Sequence, residues 1–389
     1  MPSGRTVFAQ LMDHVSRFEF QTCVARYDGE YKTSRFSCWD HFLCMAFAQL
    51  TYRESLRDIE TCLRALQPKL YHVGIRARIA RSTLADANET RDWRIYADFA
   101  QGLIRTARAL YVDEPLAIDL ANTVYALDAT IIDLCLSVFP WARYRRHDAA
   151  VKLHTQLDLR GAIPTVVQIT EGKRADVTFL DDLAIEAGAI YIMDRGYVDF
   201  ARLHRFVDDA AFFVTRTKHR IRFRRRTSRP VDFATGLLSD HTVGLVTADA
   251  RRDYPEPLRR VCYVDRETQK RLGFLTNNFV LPALTIAHLY KSRWYVELFF
   301  KWIKQHLRLK AFYGTSENAV KTQIWIALSV YVLVAIVKKR LALDGSLYKL
   351  LQVLSLTLFE KMPISTAFLD VGSQVEEGVS RNQLQLFDL

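Results

Sequence analysis

Residues 123–134 read TVYALDATIIDL, a largely apolar segment with a carboxylate, Asp128, in its middle and a second, Asp133, near its end. Its aromatic and β-branched side chains predict a buried strand, in which an unpaired carboxylate is costly. A second short strand, AIYIM, is followed at once by Asp194. The carboxyl ends of strands are where α/β folds commonly build their sites. A turn or cap is the alternative role for Asp194, and an ion pair with an arginine is the alternative for Asp128.

The segments around these two strands predict a mixed α/β fold. VKLHTQLDLR and AIPTVVQITE alternate as a hairpin around Gly161, and predicted helices follow at TFLDDLAIEAG and DFARLHRFVDDA. Strand, hairpin, helix, strand and helix in this order are typical of α/β domains.

Residues 1–115 are predicted to be mainly helical. Within them, one helix, a break around Pro68 and Gly74 and a second helix capped by Ser82 or Thr83 suggest a helix-turn-helix arrangement that binds DNA. An ordinary helical bundle is the alternative.

Residues 211–284 form a predicted β-rich insertion, with strand-like segments AFFVTRTK, IRFRRR, HTVGLVTAD, RRVCYVD and RLGFLTNNF. The run TRTKHRIRFRRRTSR (215–229) contains eight Lys or Arg and no acidic residue. Such a run favours contact with a phosphate backbone over a merely solubilising loop. The residues predicted to bind DNA here are Arg216, Lys218, Arg220, Arg222, Arg224, Arg225 and Arg226.

The stretch YKSRWYVELFFKWIKQHLRLK (290–310) is predicted to be one α-helix, because no Gly or Pro interrupts it. At about 100° per residue, six polar residues fall within an arc of roughly 80°. They are Tyr290, Arg293, Glu297, Lys301, Lys304 and Arg308. The single carboxylate in this basic stripe stays ionised beside its cations, which suits a metal ligand, while the cations hold phosphate. A solvated helix face with ordinary i,i+4 pairs is the alternative.

Asp128, Asp194 and Glu297 are therefore the predicted metal ligands. Three carboxylates nearly balance two divalent cations, and two metal ions activate water and stabilise the leaving oxygen of a phosphodiester. Hard oxygen ligands favour Mg²⁺ or Mn²⁺, with two ions expected per active site. The sequence contains no GxxxxGK[ST] loop, GxSxG elbow or HExxH motif that would indicate a different chemistry.

Composition agrees with a globular protein that binds an acidic partner. The chain has 389 residues, half of them hydrophobic, and a formal net charge of +11. Six cysteines without CxxC spacing favour a reduced, cytosolic protein. The apolar run IWIALSVYVLVAIV (324–337) is 14 residues long, which is shorter than the ~20 that a membrane span needs. We therefore expect a buried core helix and no membrane contact, and the N-terminus lacks a signal-peptide hydrophobic region.

Several of these motifs resemble the bacterial DDE transposases of insertion sequence family 4. Tyr290, Arg293, Glu297 and Lys304 match the family's Y-(2)-R-(3)-E-(6)-K signature, and LDAT around Asp128 and MDRGYVD around Asp194 also look like that family. The resemblance is clear over residues 120–340 and looser in the N-terminal part.

This resemblance implies a ribonuclease-H-like catalytic core with a β-rich insertion. The implied organisation has four parts: a helical N-terminal domain that binds the terminal repeats (1–118), the catalytic core (119–210 and 285–342), the insertion (211–284), and a C-terminal helix with a flexible tail (343–389).

The resemblance also implies a reaction. Asp128, Asp194 and Glu297 would be the catalytic, metal-binding triad, and Tyr290, Arg293 and Lys304 would contact DNA phosphates. The enzyme would cleave at the ends of its insertion sequence and transfer the 3′-hydroxyl ends into target DNA, acting as a homodimer on paired ends in the bacterial cytoplasm, at the nucleoid. A nuclease of the same fold that joins no strands and a non-catalytic DNA-binding protein are the alternatives.

Well-studied members of this family pass through a DNA hairpin at the element end. Family members hold a flipped base with a Trp in the insertion, but residues 143–292 contain no Trp, so Phe274 or Phe279 is the candidate for stacking.

The tail sequence QLQLF (383–387) resembles the bacterial sliding-clamp-binding pentapeptide. Leu386 and Phe387 would fill an apolar pocket, with Gln383 and Leu384 completing the motif, unless the tail folds onto its own body.

Overall fold

The structure is a computed structural model that describes residues 4–31, 33, 35–116, 118, 120–266, 268–306 and 312–368, without the side chains of residues 305 and 306. Arg308 and the QLQLF motif lie outside the described residues. The chain divides into two compact units. The first comprises Met1–Val112, Ile132–Val151 and Phe300–Leu389, and the second comprises Asp113–Ile131 and Lys152–Phe299.

The regular elements of the described residues give a mixed α/β protein with a helical N-terminus. The helices are α1 (Val7–Met12), α2 (Arg17–Arg26), α3 (Cys38–Leu50), α4 (Leu56–Ala65), α5 (Gln67–Leu70), α6 (Arg81–Thr90), α7 (Arg94–Tyr111), α8 (Phe200–Asp208), α9 (Ala248–Asp253), α10 (Ala283–Lys291), α11 (Trp294–His306), α12 (Glu317–Arg340) and α13 (Leu347–Thr357). The strands are β1 (Val124–Leu134), β2 (Ala149–Asp158), β3 (Ile163–Glu171), β4 (Ile190–Met193), β5 (Phe212–Arg216), β6 (Phe223–Arg229), β7 (Leu237–Leu245), β8 (Leu258–Val264) and β9 (Arg271–Thr276).

Helix α12 is the central helix of the first unit. It extends well beyond the predicted 14-residue apolar run, and by length and composition alone it could cross a membrane. However, 94% of its most apolar stretch is buried, as expected of a core helix. It packs chiefly against α7, where the hydroxyl of Tyr111 donates to the carbonyl of Ala335 at 3.0 Å.

The predicted caps in the N-terminal region are wrong. Helix α6 begins at Arg81 after Ala80, so Ser82 and Thr83 lie inside the helix and do not cap it. Pro68 lies in the first turn of α5, where a missing N–H is tolerated, and therefore begins a helix. Gly74 has a φ of 91°, the left-handed conformation that ends this segment.

The nine strands form one sheet in the order β3-β2-β1-β4-β5-β9-β8-β7-β6. Strand β5, which the sequence places in the insertion, pairs in parallel with β4 and antiparallel with β9. The strands of the predicted insertion therefore continue the sheet that contains Asp128, and do not form a separate layer.

One face of the sheet is covered by a hydrophobic core in the second unit. Tyr125, Tyr191 and Phe213 from adjacent strands pack there against Phe206 of α8. The helix predicted at residues 178–188 is instead a 3₁₀ helix, Asp176–Asp182, followed by irregular chain.

The predicted continuous helix at residues 290–310 is also wrong. Helix α10 ends at Lys291 and α11 begins at Trp294, with a turn in which the N–H of Arg293 donates to the carbonyl of Tyr290 at 3.1 Å. No Gly or Pro marks this turn. The side chains at its two ends, Tyr290 and Arg293, are held by contacts with Asp194 and Asp128.

We expect Leu328→Ala to lower the free energy of unfolding by about 2–5 kcal/mol, because the side chain is fully buried in α12 and its loss leaves a cavity. Leu356→Ala is the control, since Leu356 in α13 is 84% exposed and should change stability by less than about 0.5 kcal/mol. Denaturant unfolding of both variants measures the difference. Equal effects would contradict the assignment of α12 to the core.

Candidate active site

Two carboxylates lie side by side because of the register of two parallel strands. Leu127 of β1 is paired with Met193 of β4, so the next residues, Asp128 and Asp194, occupy neighbouring positions. Leu127 and Met193 point into the hydrophobic core. Because successive residues of a strand point to opposite faces, the two aspartates lie on the other face of the sheet.

The same row of positions continues onto β5 and β9. Thr215 is paired with Met193 and with Leu275, which places Arg216 beside Asp194 and opposite Phe274. The hydroxyl of Thr215 donates to the backbone carbonyl of Asp194 at 3.1 Å. Arg216 is half-buried, and no residue in the described part of the chain forms an ion pair with it. Three neighbouring strands thus present two carboxylates, Asp128 and Asp194, and then a cation, Arg216, that has no ion-pair partner among the described residues.

Tyr290, in the last turn of α10, is fixed from two sides. Its ring packs against Phe274, with 5.0 Å between centroids, and its hydroxyl donates to Oδ1 of Asp194 at 3.2 Å. Burial raises the pKa of Tyr290, so the hydroxyl stays protonated and keeps donating to Asp194. Tyr290 therefore orients the Asp194 carboxylate.

Arg293, in the turn between α10 and α11, joins the remaining two carboxylates. Its Nη1 lies 2.7 Å from Oδ2 of Asp128, and its Nη2 forms an ion pair with Glu297 in the first turn of α11. The backbone N–H of Ala129 donates to Oδ1 of Asp128 at 2.9 Å. The break in the predicted helix is what places Arg293 between the two carboxylates.

Burial raises the pKa of Asp128 from 3.8 to about 6. Arg293 and the N–H of Ala129 lower this pKa, while the negative charges of Glu297 and Asp194 raise it. Asp128 is thus close enough to Glu297 and Asp194 to be affected by their negative charges, and additional positive charge at this place would stabilise its ionised form.

The chain matches known proteins over most of its length. A family model described as "Transposase DDE domain" matches residues 120–333, and a "Domain of unknown function" matches residues 3–76. A protein named as transposase y4zB, from Sinorhizobium fredii, is 32% identical over 286 residues, which are 72% of this chain and 78% of that protein. A protein named as a transposase for insertion sequence element IS5377, from Geobacillus stearothermophilus, is 33% identical over 59% of this chain and 58% of its own length.

The chain belongs to the DDE transposase family. A solved structure, the cryo-EM structure of a piggyBac transposase synaptic complex with hairpin DNA, covers 97% of this chain and 82% of its own at a TM-score of 0.44 and 9% identity, which is too low to carry weight here. Assignment to the family identifies the protein as a DNA transposase and an enzyme.

DDE transposase domains typically use divalent metal ions. Carboxylate oxygens are the donors that Mg²⁺ and Mn²⁺ prefer, so Asp128, Asp194 and Glu297 fit such an ion chemically. In the part of the chain that the structure describes, no three His, Cys, Asp or Glu side chains are already gathered closely enough to hold a metal. The guanidinium of Arg293 supplies the positive charge between Asp128 and Glu297 instead.

The other basic residues predicted from sequence lie in several places of this transposase. The Nζ of Lys218 donates to the carbonyl of Val198 at 3.0 Å, and Arg220 and Arg222 are exposed between β5 and β6. Three further arginines of the run, Arg224, Arg225 and Arg226, are exposed on β6, the last strand of the sheet. On α11, Lys301 is exposed and Lys304 is half-buried.

Sequence reasoning missed the structural role of Phe274. Its side chain is fully buried beneath Tyr290, so it cannot stack on a flipped base, and the prediction of a stacking residue is left to Phe279 alone. Phe279 carries the guanidinium of Arg229 over its ring at 5.5 Å. Tyr197 was also missed, and its buried hydroxyl has no hydrogen-bond partner among the described residues. No local sequence pattern could have indicated this role of Phe274, because Tyr290 lies on α10 and reaches the strand only through tertiary packing.

We expect Asp128→Asn to stabilise the metal-free protein at pH 7.5, because the raised pKa means that ionising this carboxyl opposes folding. Two pKa units correspond to roughly 3 kcal/mol. The folded chain binds more protons than the unfolded chain between pH 3.8 and about 6, so the gain of the variant over the wild type should vanish as pH falls through this window. Unfolding in EDTA at pH 7.5 and pH 4 measures it.

Asp133→Asn is the control for this experiment, since Asp133 is exposed on the same strand. It should change the free energy of unfolding by less than about 0.5 kcal/mol at either pH. A gain for Asp128→Asn that stays constant with pH would contradict the electrostatic account.

Proposed function

We propose that this DNA transposase cleaves the ends of its own insertion sequence and transfers the freed 3′-hydroxyl ends into target DNA. The observation that supports this best is that Asp128 and Asp194 occupy neighbouring positions on adjacent strands, while Arg293 links Asp128 to Glu297 of α11. In this proposal the three carboxylates are the catalytic metal ligands, and the protein belongs to insertion sequence family 4 with a ribonuclease-H-like core.

The chain's own residues divide the work between holding metal and holding phosphate. Bound Mg²⁺ or Mn²⁺, two per active site, would supply activation of water and stabilisation of the leaving oxygen. The two aspartates are held by strands, and Tyr290 keeps the Asp194 carboxylate in one orientation. Glu297 is the most exposed of the three and can move with its helix turn. Arg293 releases the carboxylates and then binds the DNA phosphate.

Arg216 is the second phosphate contact in this proposal. It lies beside Asp194 without an ion-pair partner among the described residues, so a phosphate oxygen placed over the aspartates would neutralise it. Lys301 and Lys304 of α11 are further phosphate contacts in this proposal, and so is Arg308, which lies outside the described residues. The exposed arginines between β5 and β6 and on β6 bind DNA farther from the scissile bond.

The remaining assignments of the protein are proposals as well. Residues 1–118 bind the terminal repeats, residues 211–284 are the insertion, and residues 343–389 are a C-terminal helix and tail. The enzyme acts as a homodimer on paired ends in the bacterial cytoplasm, at the nucleoid. The QLQLF sequence binds the sliding clamp through Gln383, Leu384, Leu386 and Phe387.

Glu297→Gln should abolish Mg²⁺-dependent cleavage of duplexes that carry the DNA flanking the gene, with a loss larger than the roughly 10–100-fold that removal of an outer-shell partner costs. Binding of the same duplexes should persist. Glu317→Gln is a matched control, because Glu317 also begins a helix, pairs with a cation and is 57% exposed, against 55% for Glu297. Cleavage and strand joining to a second duplex are both followed on gels.

Each outcome of this assay separates one candidate function from the others. Mg²⁺-dependent cutting and joining that are lost only in Glu297→Gln support the transposition reaction. Cutting without joining indicates a nuclease of the same fold. Tight binding without cutting by the wild type indicates a non-catalytic DNA-binding protein and would refute the proposal.

Arg216→Ala should lower the cleavage rate by about 10²–10³-fold, the usual cost of losing one preorganised group at a developing negative charge. Binding should weaken only by one phosphate contact, which reduces the slope of log affinity against log salt by about 0.9. Arg251→Ala removes the same charge from the exposed surface of α9 and serves as control. Equal rates for Arg216→Ala and the control would exclude Arg216 from the site.

A further inference from the structure

Arg293 already engages two of the three candidate metal ligands. Its Nη1 lies 2.7 Å from Oδ2 of Asp128, and its Nη2 pairs with Glu297, four residues further along the chain. Each carboxylate thus has one oxygen bound to the guanidinium, and that oxygen is not available to a metal ion at the same time. Among the described residues, no three His, Cys, Asp or Glu side chains are gathered closely enough to hold a metal.

The guanidinium of Arg293 depends on these carboxylates in return. The side chain of Arg293 is 18% exposed and that of Asp128 is 21% exposed, so both charges are largely withdrawn from water. Burial lowers the pKa of Arg293, but Asp128 and the other negative groups around it raise this pKa above its ordinary value. Removing the partner of a largely buried charge is strongly unfavourable. A metal ion alone therefore cannot take the carboxylates without leaving the guanidinium unpaired.

A DNA phosphate is a group that can accept the guanidinium of Arg293. Two parallel N–H donors match two phosphate oxygens as well as they match carboxylate oxygens. The guanidinium lies 5.9 Å from the centroid of the Tyr290 ring. Burial raises the pKa of Tyr290, and the charges of Arg293 and Arg216 lower it, so both cations lie near this ring. A phosphate that neutralises Arg216 therefore comes close to Arg293.

We propose that Arg293 makes metal binding conditional on DNA. In the DNA-free chain its guanidinium neutralises Asp128 and Glu297, and on DNA it moves to a phosphate and leaves both carboxylates to a divalent ion. This inference rests on the proposed function and adds a regulation of the same site. The protein then holds its metal ions tightly only when a DNA end is in place.

DNA and metal must therefore bind cooperatively. Phosphate binding frees the carboxylates, and metal binding frees the guanidinium, so each ligand removes an obstacle to the other. The factor by which DNA tightens metal binding must equal the factor by which metal tightens DNA binding, and such couplings are typically about 5–150-fold. A metal ion that contacts the phosphate directly would also give coupling, so the decisive measurement is metal affinity without DNA.

The test is a titration of the full chain with Mn²⁺, in which electron paramagnetic resonance measures the free ion. One titration is made without DNA, and a second with a pre-cut element-end duplex that lacks the 3′-hydroxyl, so that neither cutting nor joining can follow. Mn²⁺ bound by the duplex alone is subtracted. For the wild type, we expect the duplex to tighten Mn²⁺ binding by a factor of about 5–150.

Arg293→Gln should bind Mn²⁺ more tightly than the wild type in the absence of DNA, by a factor in the same range of about 5–150, because Asp128 and Glu297 are no longer engaged. The duplex should then tighten Mn²⁺ binding much less than in the wild type. A misfolded variant cannot show this gain, since unfolding separates the carboxylates. An unchanged DNA-free affinity for Mn²⁺ in Arg293→Gln would overturn the proposal.

Arg202→Gln is the matched control. The Nε of Arg202 lies 2.8 Å from Asp181 and its Nη1 lies 2.9 Å from Asp199, so this arginine also joins two carboxylates, and its side chain is 28% exposed. Its loss frees two other carboxylates and removes the same charge. Mn²⁺ affinity should stay at the wild-type value with and without the duplex. Equal gains in Arg202→Gln and Arg293→Gln would indicate a general effect of net charge and refute the proposal.

Asp128→Asn distinguishes failure of this inference from failure of the proposed function. If Asp128 is a metal ligand, this variant should lose the Mn²⁺ binding that the duplex promotes. Mn²⁺ binding that is the same in Asp128→Asn and the wild type under both conditions refutes the metal-ligand assignment in the proposed function. Mn²⁺ binding that needs Asp128 but is equally tight with and without the duplex refutes only the role of Arg293.

Discussion

The register of the parallel strands β1, β4 and β5 is the constraint on which the site depends. With Leu127, Met193 and Thr215 in one row, the next row contains Asp128, Asp194 and Arg216 on the face away from the hydrophobic core. A slip of one residue in any strand would turn its apolar residue to that face and its charged residue into the core. The strand register that buries Tyr125, Tyr191 and Phe213 therefore also determines the face on which the two aspartates and Arg216 lie.

The electrostatics of the site follow from this packing. Asp128 is buried near two other carboxylates, which raises its pKa, and Arg293 is the group that offsets the repulsion. The same solution occurs in the extension of the sheet, where Arg259 is buried with Asp240 and donates to two backbone carbonyls. In the Arg259–Asp240 pair, one cation neutralises one carboxylate. At the candidate active site, Arg293 is paired with two carboxylates, Asp128 and Glu297, so the negative charge there is larger than the positive charge. The candidate site can therefore accept more positive charge.

The continuity of the sheet links the candidate catalytic residues to the basic run. Strands β9, β8, β7 and β6 extend from β5, so residues close in sequence, such as Arg216 and Arg225, end up four strands apart. At about 4.8 Å per strand this separation is roughly 19 Å, and sheet twist turns β6 further away. The basic run therefore cannot act as one patch. Its first arginine lies beside Asp194, and its last ones lie on the edge strand of the sheet.

The sequence alone determined the strand that carries Asp128, the strand that ends before Asp194, the buried helix α12 and the likeness to DDE transposases. Those features depend on local apolar patterns and on residue spacing, which one chain displays directly. The tertiary structure decided the turn at Ser292 and Arg293, the start of α6 at Arg81 and the burial of Phe274. Each depends on which distant residue lies opposite, because packing and strand register fix these positions and no local propensity encodes them.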